Sequence, residues 1–333
     1  LHRIINTYRA IASNKLLKLM VVLCCLFLRA EAEPDQNPTP NNINLAFPVY
    51  SQYLQNGLVI NPAYSGTRGA LSGFISYRKQ WMGIAESPNL QTMSLHTPFK
   101  NERDAVGFIT QFMQYGFTKT TSLYGSYAHN IKFVRGKLSM GMKAGFDMSN
   151  SNFSNIRTVK PRDIVFTSNE DPYILPNFGA GVYYYDQRIY AGLSVPQFLS
   201  YRKSSGNSAQ AYHSFGDYDF IISGGGLIDI NELIKFKPSF LLHYSLNETQ
   251  KTKQFDISAN FIFADMIWGG LSWRTNEKAL TGIVQISVNQ QLMIGLSYDY
   301  PLGFMSSMRN GSAEFCLRYE FGTKISAANP RYF

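Results

Sequence analysis

The five histidines, His2, His96, His129, His213 and His243, lie far apart, and none stands at metal-ligand spacing from another or from a cysteine. The cysteines are Cys24, Cys25 and Cys316. The first two sit inside an apolar export run, so a mature chain keeps Cys316 alone, with neither a zinc cluster nor an intrachain disulfide. Gly224-Gly225-Gly226 lacks the Lys-Ser/Thr that a phosphate loop places at the mouth of a helix, and reads as strand flexibility or a bulge. No G-x-S-x-G nucleophile elbow occurs. A rim Ser/His pair, of the kind barrel enzymes assemble from distant strands, has only His96 to offer, and a strand histidine filling a polar interior is the commoner arrangement. These residues give no positive sign of catalysis, of a cofactor or of a metal, and the expectation is a protein that binds other proteins.

Two segments carry a denser signal. Residues 47–66 read FPVYSQYLQNGLVINPAYSG, too aromatic and apolar for a free tail. Asn61-Pro62 is a turn signal, because proline fixes its own φ and biases its predecessor away from helix. Gly66 then permits a positive φ before the first strand. Just beyond lies Tyr77-Arg78-Lys79-Gln80-Trp81. Arg78 is either half of an interior ion pair or a binding residue, and Trp81 either an interfacial anchor or a binding residue.

The elements that must position these residues are strands. Only 16% of the 333 residues are charged, against about 25% in an average soluble protein, while 21 Tyr, 24 Phe and 26 Gly suit many short strands. A mean hydropathy of −0.16 argues against a bundle of membrane helices but not against a barrel, in which every second strand residue is apolar. Leu138 to Met148 is apolar at every even position, and Phe255, Ile257, Ala259, Phe261 and Phe263 alternate with Asp256, Ser258 and Asn260. Leu292, Ile294, Leu296, Tyr298 and Tyr300 repeat the pattern, as do Ala313, Phe315, Leu317, Tyr319 and Phe321. Fourteen such strands are predicted, over 70–82, 88–98, 104–115, 119–132, 137–149, 176–186, 188–197, 215–227, 234–246, 253–264, 266–275, 279–289, 291–300 and 312–321.

Connections after even-numbered strands are short (Asp186-Gln187, Ala264-Asp265, Asn289-Gln290), and several after odd-numbered ones are long (Asn150–Leu175, Phe198–Ser214, Pro301–Gly311). That asymmetry is expected of an outer-membrane antiparallel β-barrel with short periplasmic turns, external loops and both termini in the periplasm. The rival, a soluble sandwich, should carry Lys, Glu, Thr and Asp on its outer face; here the poorer face holds Gly, Ser, Asn and a few charges, as expected of a lumen. Tyr183-Tyr184-Tyr185, Trp268, Trp273 and Tyr298, near strand ends, are expected in aromatic girdles.

Residues 1–32 read as a signal peptide: basic residues, the apolar run Leu19 to Leu28, then Ala30-Glu31-Ala32 as cleavage site. Ten apolar residues are too few to span a bilayer, which takes about 20. Residues 33–66 are then a periplasmic leader, with a plug or contact segment at its end, and 67–333 a barrel with a C-terminal periplasmic tail. Arg3, Arg9, Lys15, Lys18 and Arg29 against Glu31 take +4 of the formal +9 into the signal peptide. The +5 left is dispersed, without the basic stripe that nucleic acid requires. Attraction to lipid headgroups is the simpler reading.

The order of motifs resembles the PorP/SprF family. Asn61-Pro62-Ala63-Tyr64-Ser65-Gly66 is similar to that family's opening signature, with Ser65 in place of the usual Ala, and Tyr77-Arg78-Lys79-Gln80-Trp81 to its Tyr-Arg-x-Gln-Trp element. Gln91 to Pro98 resembles its next strand, Gly311-Ser312-Ala313-Glu314 the opening of its last, and Pro330-Arg331-Tyr332-Phe333 its end. The resemblance implies an outer-membrane component of the type IX secretion system of Bacteroidota. Such a protein supports secretion or surface anchoring of a cargo such as an adhesin, in some species a gliding adhesin, or works beside periplasmic ring components. It implies structural or partner-binding roles for Asn61, Pro62, Tyr64, Gly66, Tyr77, Arg78, Gln80 and Trp81, and no catalytic ones. The loop after the fifth strand, with Arg157, Lys160, Arg162, Asp163, Glu170 and Asp171, is the candidate surface contact. The alternative is an outer-membrane channel or hydrophobic-solute transporter, since a fourteen-stranded barrel is wide enough for a lumen.

Overall fold

Alternating side chains leave a strand on opposite faces, so a sheet of such strands must find one environment for each face. The computed structural model describes residues 42–43, 48–151, 172–203, 209–247, 253–302 and 310–322. It resolves the problem by closing the sheet. The wall strands are β1 (Leu71–Lys79), β2 (Asn89–Pro98), β3 (Asp104–Tyr115), β4 (Thr118–Lys132), β5 (Gly136–Ser151), β6 (Tyr173–Asp186) and β7 (Ile189–Val195). They continue as β8 (Asp219–Gly226), β9 (Ile234–Ser245), β10 (Lys253–Phe263), β11 (Ile267–Arg274), β12 (Ala279–Ser287), β13 (Leu292–Pro301) and β14 (Ser312–Phe321). Each pairs antiparallel with the next, and β14 returns to β1 in a register running from Phe321 opposite Leu71 to Ala313 opposite Lys79. The two-residue strand Ile228–Asp229 only extends the β8–β9 hairpin. The result is a closed fourteen-stranded antiparallel barrel.

Its two faces are inverted relative to a water-soluble protein. In β1, Ser72, Ser76 and Arg78 are buried while Leu71, Ile75 and Tyr77 are exposed. In β14, Ser312, Glu314, Cys316 and Glu320 point inward, and Phe315 and Phe321 outward. Leu296 is 58% exposed and its strand neighbour Ser297 is buried. An apolar band all round a closed sheet is stable only where lipid replaces water. The odd-to-even connections gather at one end, called here the loop end, and the even-to-odd hairpins at the other, the turn end.

The strand count and most boundaries agree with the alternation pattern, with instructive departures. β5 runs to Ser151 and β6 begins at Tyr173, so these strands rise further at the loop end than expected. The rungs added to β5, Asn150 and Ser151, are polar, as in the Thr118–Ser151 hydroxyl contact of 2.9 Å, and do not register as alternation. Those added to β6, Tyr173, Ile174 and Leu175, continue its outward and inward faces. Residues 215–217, expected at the start of the eighth strand, form a 3-10 turn instead. The expected girdle is corrected in part. Tyr298 faces outward, but Tyr183 and Trp268 are buried inside the barrel. Both sit at inward positions of their strands, which proximity to a strand end alone does not reveal.

A charge on the lipid face should be costly and the same change inside should not follow the same rule. Leu296→Arg is expected to destabilise the reconstituted barrel by about 2–4 kcal/mol, read from its urea unfolding midpoint, whereas Ser297→Ala, one residue along, should shift it far less.

Candidate functional site

The barrel interior is occupied by the chain itself. Between Tyr50 and Arg68, nearly every side chain is buried, polar and apolar alike. Tyr50, Tyr53, Leu58, Val59, Ile60, Ala63 and Tyr64 form a core with Leu90, Ile109, Tyr124, Tyr183, Tyr190, Ile221, Leu241, Ile262 and Trp268 from the walls. This lumen segment runs from the loop end to the turn end, and its polar side chains meet the walls in the same order.

At the loop end, Ser51 is the hub of an ion network. Its backbone N–H donates to Glu314 at 2.9 Å and its hydroxyl to Asp299 at 3.0 Å. The same hydroxyl accepts from Arg78 at 2.8 Å and from Arg274 at 3.3 Å. Arg78 reaches Asp299 at 2.5 Å and Glu314 at 3.5 Å, and Arg274 reaches Asp256 at 3.2 Å and Asp299 at 3.3 Å. Two guanidinium groups thus face three buried carboxylates. Charges this deep persist only when mutually paired and hydrogen-bonded. Lower down, Gln55 donates to Gln285 at 2.5 Å and Gln285 to Gln52 at 2.6 Å, while Arg318 donates to Gln55.

The Asn61-to-Gly66 motif is explained residue by residue. Asn61 caps a 3-10 turn over Pro62–Tyr64: its side-chain oxygen accepts from the Ala63 N–H at 2.9 Å, and its amide donates to the Val182 carbonyl at 2.9 Å. Pro62 supplies a pre-set φ at the first turn position. The turn lies against Gly141, where a β-carbon would come within 2.4 Å of the Ala63 nitrogen, so only glycine allows the approach. Tyr64 stacks edge-on against His96 and Tyr183, each at 5.5 Å, and its hydroxyl accepts from Arg68 at 3.1 Å. The Ser65 hydroxyl makes a 2.9 Å contact with Ser126. Gly66 has φ +73°, and its N–H donates to His96 Nδ1 at 3.0 Å. At the turn end Arg68 pairs with Glu320 at 3.9 Å. Nearby, Lys237 sits over Trp268 at 5.1 Å and Tyr190 at 5.7 Å.

The second motif divides among three environments. Tyr77 is 47% exposed on the lipid side and Arg78 is in the ion network. Gln80 and Trp81 are half-buried at the loop-end rim; Gln80 N–H donates to the Pro88 carbonyl, and Trp81, at φ +44°, donates its N–H to Ser312. The structure therefore brings Asn61, Pro62, Tyr64, Gly66 and Arg78 into the lumen and leaves Tyr77, Gln80 and Trp81 outside it. Sequence reasoning missed Ser51, Arg274, Asp299 and Glu314. The only signal for Arg274, Asp299 and Glu314 is charge on the polar face of strands otherwise poor in charge, and Ser51, ahead of the first strand, carries none.

Above the wall, Ser200–Lys203 pairs with Ala209–Tyr212 and with Asn42–Ile43, making a three-stranded sheet within the connection after β7. Asn42–Ile43 thus lies at the loop end, and the chain crosses the lumen before it enters β1 at the turn end, where β14 also finishes. The two termini, expected together in the periplasm, lie outside the described residues. Arg157, Lys160, Arg162, Asp163, Glu170 and Asp171 lie outside the described residues. Among the described residues no group of three or more His, Cys, Asp or Glu is arranged to hold a metal, and Cys316 is a buried free thiol.

A closed sheet with an apolar exterior and a hydrogen-bonded interior defines the chain as an outer-membrane β-barrel. It belongs to the PorP/SprF family: the model of the type IX secretion system membrane protein PorP/SprF matches residues 43–319. Similar solved folds include the Ralstonia pickettii toluene transporter TbuX, 10% identical over 84% of this chain and 96% of that one, TM-score 0.48. The CymD monoaromatic hydrocarbon channel is 9% identical over 84% and 95%, TM-score 0.47. The Acinetobacter baumannii outer membrane protein Omp33 is 6% identical over 75% and 96%, TM-score 0.42. No curated protein matches the chain.

Two substitutions separate the contributions within the lumen. Arg78→Ala leaves Asp299 and Glu314 short of a cation and should cost about 3–5 kcal/mol in urea unfolding. Gly141→Leu should push out the 62–64 turn, seen as faster amide exchange across residues 57–66 in a barrel that still unfolds cooperatively.

Proposed function

We propose that this type IX secretion membrane protein acts by binding rather than by conducting: the barrel is a sealed anchor that holds a secreted cargo, such as an adhesin, at its loop end. The observation that carries this reading is the lumen segment, tied to the wall by hydrogen bonds and ion pairs from Ser51 at one end to Arg68 at the other. A channel or hydrophobic-solute transporter needs a path where these side chains lie. Long connections on a rigid ring are suited to carry recognition, and the sheet of Asn42–Ile43, Ser200–Lys203 and Ala209–Tyr212 gives the loop end a built surface.

In this reading the loop end faces the cell exterior and the turn end the periplasm, where ring components of the secretion apparatus meet the hairpins. The end of β14 at Phe321 is then periplasmic, and the Asn42–Ile43 pairing lies at the outer face. Arg157, Lys160, Arg162, Asp163, Glu170 and Asp171 supply both charge signs for a polar contact with cargo.

Two measurements test it. The wild-type barrel in planar bilayers is expected to be silent, and steady single-channel conductance would overturn the sealed-anchor reading. Deleting residues 152–171 should release cargo from the cell surface while leaving the heat-modifiable folded barrel intact. Cargo retained at wild-type level would remove that loop from the contact.

A further inference from the structure

The lipid-facing wall does not end cleanly at the turn end. Phe133 lies on the same face as Ile131 and Tyr127 of β4 and is 57% exposed, and Val134 at the hairpin tip is fully exposed. Phe99, in the adjacent hairpin, is 47% exposed. Around these three apolar tips the chain places Lys100, Arg103, Lys132, Arg135 and Lys137. We propose that the paired β2–β3 and β4–β5 hairpins form a docking site for the phosphate headgroup of a membrane lipid.

The site is fixed in shape before any lipid arrives. In one hairpin Phe133 N–H donates to the Gly136 carbonyl at 2.8 Å. A β-carbon on Gly136 would meet the Tyr184 hydroxyl at 2.7 Å and the Tyr185 carbonyl at 2.8 Å, so the turn admits no other residue without a shift. In the other, Glu102 N–H donates to the Phe99 carbonyl at 2.9 Å, and Asn101 accepts the N–H groups of Arg103 and Asp104 at 3.0 and 3.1 Å. Asn130 N–H donates to the Arg103 carbonyl at 2.6 Å and fastens one hairpin to the other.

The charges call for an anion. Lys132 and Lys137 are directly opposite on β4 and β5, an arrangement that is unfavourable when unanswered. Glu102 answers both, at 3.1 and 3.8 Å. The hydrogen bonds of the neighbouring acids go elsewhere. Asp104 accepts from Asn101 and Tyr127 and contacts His129 at 2.8 Å, and Asp186 accepts from the Tyr184 hydroxyl and from the backbone N–H groups of Arg188 and Ile189. Five cations against Glu102, Asp104 and Asp186 still leave an excess of positive charge, on stems long enough to reach from the hydrocarbon edge.

A protein anion or free phosphate fits the charge but leaves Phe133 and Val134 without a partner. A lipid fits both, since its acyl chains continue over the wall that these residues extend while its phosphate meets the lysines.

The test is native mass spectrometry of the detergent-extracted full chain titrated with phosphatidylglycerol. The wild type is expected to retain bound lipid at low ratios. Lys132→Gln/Arg135→Gln/Lys137→Gln should weaken retention roughly a hundredfold, at about fivefold per cation. Phe133→Ser/Val134→Ser should weaken it with every charge kept, and inorganic phosphate should not displace the lipid. Equal retention by wild type and triple variant overturns the proposal; so does full displacement by inorganic phosphate, which marks a plain anion site. If the triple variant gives no folded heat-modifiable band, Arg135→Gln at the exposed hairpin tip decides: about fivefold weaker retention supports the site, and unchanged retention overturns it.

Discussion

The seam between β14 and β1 is the constraint on which everything else rests. In hydrocarbon an unpaired backbone N–H or C=O has no water to turn to, so an open sheet edge is not tolerated and the strands must end where they began. Once the ring closes, lipid and lumen become separate solvents for alternate residues. That is why a chain with a mean hydropathy of −0.16 can span a membrane. Ile75 and Leu296 are selected by lipid, and Ser76 and Ser297, their neighbours, by what lies inside.

A ring of fourteen strands encloses more space than wall side chains alone fill. Here the chain supplies its own filling, and the match is chemical as well as steric. Amides meet amides at Gln52, Gln55 and Gln285, hydroxyl meets hydroxyl at Ser65 and Ser126, and a turn of helix meets a wall glycine at Gly141. The ion network around Ser51 adds less net stability than its contacts suggest, since desolvating five charged groups offsets most of the attraction. What it supplies is position: few other placements of Ser51 satisfy Arg78, Arg274, Asp299 and Glu314 together.

The walls were legible in the sequence because a membrane barrel imposes a period of two on every strand, and Leu138–Met148 or Leu292–Tyr300 display it openly. Asn61, Pro62 and Gly66 were legible as turn chemistry, and each does what its type dictates. What the residues do not carry is the partner of each inward group. Arg78 and Glu314 are separated by most of the chain and meet only through closure, and nothing local distinguishes Ser51 from other serines. Tyr183 and Trp268 were misjudged for a related reason, since aromatics serve equally as girdle and as filling, and only the inward parity of their positions decides. The same blindness applies to the path of residues 48–69: their apolar character says they are buried, not from which side they enter.

That path has a consequence for biogenesis. Residues 42–43 are tied to a hairpin on one rim, while β1 starts from the opposite rim, so the polypeptide passes through a hoop made of its own later strands. Threading a finished hoop would require dragging that stretch past the packed aromatic interior. Zipping β14 onto β1 last, around a stretch already laid along the half-built sheet, avoids this. The final seam is therefore also a clasp around the stretch it encloses.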